Sequence, residues 1–186
     1  MNTIISDLIK DFTLQYVSKW QEVTGFPPES SDLYGVPSPC IVRTGEDVVY
    51  WEPQPFPFEE KNLSRVAAAL DIQLQDDIHA FYTSQFAGDI SATFEDIHLN
   101  LLQVWNEDDF IRLQENLIGH LVTQKRLKLS PTLFIGTLDS ELDMISMCNL
   151  TGEIILEKFG SKERRVLATN LASFIQQLKP ALSSQG

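Results

Sequence analysis

The sequence predicts an α+β fold: a mostly antiparallel, mixed sheet of hairpins packed with four to five helices. Two observations carry the prediction. Residues 3–24 and 107–126 repeat apolar side chains at helical spacing, and short β-branched or aromatic runs come in pairs around tight turns. At 186 residues the chain fits one domain with a sizeable core, expected over residues 1–182, with the tail SSQG at 183–186 disordered.

In order, Ile4, Leu8, Phe12, Tyr16, Trp20 and Val23 recur on one face of a first helix, which Gly25 and Pro27-Pro28 end. Residues 25–39, with four prolines and two glycines, read as loop. CIVRT (40–44) and DVVYW (47–51) flank Gly45-Glu46 as a hairpin. EPQPFPF is too proline-rich for a ladder strand and is expected to run over the surface. Residues 60–70 and 73–86 read as helices, the second broken at Gly88-Asp89. Residues 90–105 form a second hairpin turning at Glu95-Asp96. After the helix at 107–126, residues 132–138, 143–150 and 153–159 read as strands, and 162–178 as a final helix before Pro180.

The composition narrows function. No apolar run approaches the ~20 residues that cross a bilayer, and MNTIISDLIKDF lacks the basic start and apolar block of a secretory signal. Cys40 and Cys148 read as reduced core residues, so a soluble cytoplasmic protein is expected. Net charge is −12, and residues 46–115 alone hold fifteen acids against Lys61, Arg65 and Arg112. Such a field repels phosphate backbones and lipid headgroups and speeds encounters with basic surfaces. A generic acidic surface kept for solubility explains the same charge.

LLQVWNEDDF (101–110) concentrates the question. Asn106 suits an N-cap, and Glu107, Asp108 and Asp109 fill a first turn where free N–H groups favour negative charge. Asp109, at N3, is placed to return a bond to the N-cap amide, and Asp108 precedes Arg112 by four residues, the spacing of a surface pair. Phe110, Leu113, Leu117 and Leu121, with Ile118 beside them, form the buried stripe.

Metal binding is the weaker reading, because consecutive helical residues point about 100° apart and three adjacent acids cannot converge on one ion. Asp139, Glu141 and Asp143 start like a calcium loop but Met144 and Leu150 stand where Gly and a bidentate acid belong. His79, His98 and His120 are far apart in sequence, with no HExxH or CxxC beside them. There is no GxSxG, P-loop or dinucleotide fingerprint. Cys40 as a thiol nucleophile is outweighed by its place at a strand start, and Asp89, Glu95 and Asp96 could pair for hydrolysis only if the fold assembled them.

What remains is a binding protein with aromatics among its acids. Phe81, Phe94 and Trp105 read as core, whereas Tyr50, Trp51, Phe56 and Phe58 are expected near the surface. The candidate partner-binding residues are Glu107, Asp108, Asp109, Glu115, Asp89, Glu52, Trp51 and Trp105, with carboxylates taking charge and rings holding Lys or Arg stems.

DLYGVPSPC (32–40), VVYWEPQPF (48–56), FYTSQFAGDI (81–90), LLQVWNEDDF and ENLIGHLVTQKRLKLSPTLFI (115–135) resemble the Syd family, the SecY-interacting proteins of Gram-negative bacteria. That family is similar to the wider SUKH superfamily of α+β domains, which includes many toxin-immunity proteins. The resemblance implies a SUKH-like fold and a regulator without enzymatic activity, cofactor or metal. It implies loose association with the cytoplasmic side of the inner membrane through SecY, sequestering uncomplexed or faulty channel or restraining translocation, while the acidic field argues against nucleic acid and lipid insertion as partners. The superfamily implies an alternative, an immunity-type inhibitor of a basic nuclease toxin.

Overall fold

The computed structural model describes residues 3–182, so the expectation for the tail lies outside the described residues. Helix α1 (Thr3–Thr24) buries Ile5, Ile9, Phe12, Thr13, Tyr16 and Trp20, a run of three- and four-residue steps. Ile4 and Val23, expected on that stripe, are exposed. Ile4 lies about 100° round the helix from Ile5, and the helix's last turn is exposed throughout.

Strands β1 (Glu29–Ser30), β2 (Ile41–Thr44) and β3 (Val49–Trp51) form a small antiparallel sheet in the order β1-β3-β2, including the expected hairpin. The proline-rich stretch departs from expectation. Gln54–Pro55 (β4) pairs with Gln85–Phe86 (β5), and Phe56 is only 4% exposed. Its ring packs edge-on against Phe58, Phe86 and Phe110. Prolines bar a long ladder but leave the intervening rings free to turn inward. Between β4 and β5 lie α2 (Ser64–Leu70) and α3 (Asp76–Tyr82), both shorter than the sequence suggests.

The main sheet contains β6 (Ile90–Phe94), β7 (Ile97–Leu101), β8 (Thr132–Thr137), β9 (Asp143–Cys148), β10 (Ile154–Lys158), β11 (Arg164–Ala168) and β12 (Lys179–Pro180). Its order is β11-β10-β9-β8-β7-β6-β12, with every described pairing antiparallel. Helix α4 (Glu107–Arg126) crosses between β7 and β8, and α5 (Leu171–Gln177) between β11 and β12. The α+β architecture with five helices follows the sequence reading. One element does not: the helix expected at 162–178 is strand β11 followed by α5. Asn170 caps α5 by accepting from the Ser173 N–H at 2.7 Å, which fixes the start of that helix.

Ile90, Ala92 and Phe94 alternate inward and share one buried core with Leu99, Leu101, Leu133, Ile135, Ile145, Met147 and Ile154. Phe94 stacks on Phe174 of α5 at 4.9 Å between centroids.

Candidate acidic interface

Asn106 takes an extended backbone (φ −158°, ψ −176°) and its side chain accepts from the Asp109 N–H at 2.8 Å, the expected N-cap of α4. Asp109 returns a bond of 2.8 Å, to the Trp105 N–H rather than to the N-cap amide. This reciprocal lock ties the last residues after β7 to the helix start. Arg112 pairs with Asp109 at 3.4 Å, three residues apart, in place of the expected Asp108.

Trp105 is buried, as its patterned surroundings predict, and meets Trp51 edge-on at 6.3 Å. Trp51 is also buried, at 2% exposure, which corrects its expected place near the surface. It alternates inward with Val49 on β3 and stacks on Tyr16 of α1. Both tryptophans therefore support the acidic surface from beneath. Three hydrogen bonds then bind the 36–38 segment to the start of α4: Trp105 Nε1 donates to Val36 C=O at 2.9 Å, Asn106 Nδ2 to Pro37 C=O at 2.6 Å, and Ser38 Oγ to Trp105 C=O at 2.7 Å.

Behind this junction opens a cleft of about 180 Å³ lined by Tyr16, Glu29, Asp32, Trp51, Asp89 and Asn100, among others. Asp89 opens to solvent through the cleft, but its walls surround it. Confinement away from bulk water pushes its carboxyl up to about 6; the Gln103 N–H, donating to Oδ1 at 3.3 Å, acts against this, and the Asp109 and Asp32 carboxylates add to it. Asp89 and Asp109 also raise the buried Tyr82 phenol, after burial itself.

The family described as "Syd protein (SUKH-2)" matches residues 6–180. The chain belongs to the Syd family. A Protein Syd from Photorhabdus laumondii is 62% identical over 177 residues, 95% of this chain and 96% of the relative. Those of Yersinia pseudotuberculosis and Shigella boydii are 57% and 58% identical, each over 98% of this chain and 99% or 100% of the relative.

In this Syd-family chain the sequence-selected residues divide. Asp89, Asp109, Trp51 and Trp105 converge at the cleft and the α4 junction. Glu107 and Asp108 are exposed beside them, and Glu115 follows Asp108 seven residues on, about 10 Å further along the same face. Glu52 is exposed immediately after Trp51. Glu95 and Asp96, weighed as partners of Asp89, lie at the far end of β6, about 20 Å away along the strand. Sequence reasoning missed Glu29, Asp32, Tyr16 and Asn100, whose only signal was two acids in an aperiodic proline-rich loop.

Cys40 and Cys148 are free and buried, and burial pushes the Cys40 thiol up, away from the thiolate a nucleophile needs. Burial holds His79 and His120 below the usual imidazole range. Among the described residues no group of three or more His, Cys, Asp or Glu could hold a metal ion, and no helix is long and apolar enough to cross a membrane.

Proposed function

We propose that this Syd-family chain is a non-enzymatic regulatory protein that binds SecY at the cytoplasmic face of the inner membrane. Through its acidic surface it engages uncomplexed or faulty SecY and restrains translocation. The observation that supports this reading best is the convergence of Glu29, Asp32 and Asp89 in one cleft, with Asp109 within electrostatic reach and Glu107 and Asp108 on the adjoining helix start. Cytoplasmic loops of membrane proteins carry excess Lys and Arg, and a concave acidic surface attracts them. The same field opposes direct contact with anionic headgroups, so association with the membrane is peripheral and depends on SecY.

Recovery of the protein with membranes is expected to rise and fall with the amount of SecY and to be lost in a high-salt wash. Strong binding to protein-free anionic vesicles contradicts the reading. Capture of a basic nuclease in place of SecY favours the immunity-type alternative.

A further inference from the structure

The loop between the cleft and α4 carries an unexplained feature. Its first residues, 31–33, line the cleft, and its last, 36–38, are bonded to Trp105 and Asn106. Between these ends Tyr34 and Val36 stand 45% and 39% exposed, flanked by Asp32 on one side and Glu107 and Asp108 on the other. Two exposed side chains thus stand on the loop that joins the cleft to the start of α4.

The loop is rigid for identifiable reasons. Tyr34 N–H donates to Ser31 C=O at 3.2 Å and Val36 N–H to Leu33 C=O at 3.1 Å, and Leu33 N–H bonds the Ser30 hydroxyl. Gly35 sits at φ +82°, the third position of the tight turn closed by Leu33 and Val36, where a side chain is strained. Tyr34 is held on the turn before any partner arrives, so little loop entropy is lost on binding.

We infer that Tyr34 and Val36 form an apolar anchor for the basic segment this surface receives, which carries a bulky apolar side chain between its Lys or Arg residues. The inference rests on the reading of the acidic surface as the SecY-binding face. Charge there sets approach and orientation, whereas an exposed aromatic on a braced turn supplies contact that salt does not screen. Tyr34 and Val36 then set which basic loops are retained and the carboxylates how fast they arrive.

The test uses the full chain and purified SecY in nanodiscs of neutral lipid, with affinity measured at low and high salt. The double variant Tyr34→Ser, Val36→Ser is expected to lose about tenfold in affinity at both salt concentrations, with unchanged melting and an unchanged salt slope. Tyr34→Phe alone is expected to retain binding. Glu107→Gln with Asp108→Asn is expected to flatten the salt slope instead. If the double serine variant stays within twofold of the parent while the charge variant weakens, the anchor is overturned and the acidic reading stands. If Tyr34→Phe loses as much as the serine variant, the apolar basis of the anchor is overturned. If the parent chain does not bind SecY at all, both fall.

Discussion

The backbone at Gly88, just before Asp89, packs close against Trp51 because residue 88 has no side chain: a β-carbon there would lie 2.8 Å from the indole ring, and the ring is buried. Sequence alone showed Gly88 only as a helix breaker, and the reason for it becomes visible once Trp51 is placed in the core. The prolines flanking Phe56 point it to the surface in a sequence reading, yet proline reports on backbone pairing, not on where a neighbouring ring turns. Confining Asp89 in the cleft has a consequence whose sign is fixed. A carboxyl raised to about 6 in the folded chain, from 3.8, binds more protons folded than unfolded between those values. The stability that Asp89 contributes therefore declines as pH rises from about 4 to 6 and is level above that. Asp89→Asn keeps the oxygen that accepts from Gln103 and removes the charge. Urea unfolding is expected to show the variant more stable than the parent at pH 7.5, with the gain vanishing near pH 4; an equal gain at both pH values would mean that ionisation of Asp89 is not the cause.

Among elements, α4, β8 and β10 meet at one hydroxyl, and β11 joins them through Glu157. Thr132 Oγ1 donates its only proton to Glu157 Oε2 at 2.6 Å, so Gln124 Nε2 at 2.7 Å and His120 Nε2 at 2.9 Å must both donate to it. His120 is thereby held as the neutral Nε2–H tautomer, its pKa pushed down by burial, with Glu157 opposing and Arg164 assisting. Glu157 is 4% exposed and pairs with Arg164 Nε at 3.4 Å, while Arg164 Nη2 bonds the Ser130 carbonyl. These partners explain why residues 164–168 form a strand: Arg164 lies opposite Glu157 in the β10–β11 ladder, and a helix there would break that registration. The sequence could not show this, because the five residues are scattered from 120 to 164 and only the curl of the sheet brings them together. The long, strongly periodic helices α1 and α4 and the hairpins turning at Gly45-Glu46, Glu95-Asp96 and Thr151-Gly152 were readable because their signals are local. Thr132→Val should cost about 2–4 kcal/mol by stranding Glu157, Gln124 and His120, and Thr132→Ser much less. Because His120 is depressed below 6.5, its own contribution to stability should be full above that pH and be lost as pH drops through it, a limb that His120→Gln should flatten in denaturant titrations.

At the scale of the molecule, Asp89 of the acidic middle is brought beside Glu29 and Asp32 of the preceding segment, so the acidic cleft is assembled by the fold and the acidic surface is only half visible in the sequence. The half that was visible, NEDDF, combines two roles. Asp109 is committed to the lock with Trp105 and to Arg112, whereas Glu107 and Asp108 remain exposed on the first turn. As first-turn acids they contribute roughly 0.3–1 kcal/mol each through the helix dipole, and ~1 kcal/mol moves the melting point of a domain this size by about 2–4 °C. As part of a shared field they should act mainly on encounter with a basic partner, through the on-rate and at low salt. Glu107→Gln with Asp108→Asn should therefore lower melting by only a few degrees. It should slow association with SecY several-fold at 50 mM salt and leave association near parental at 500 mM, where the Debye length is only a few ångströms. Stopped-flow association across that range separates the roles: a melting shift with unchanged on-rates would make these two acids helix chemistry alone, and leave recognition to Asp89, Asp32 and Glu29 in the cleft.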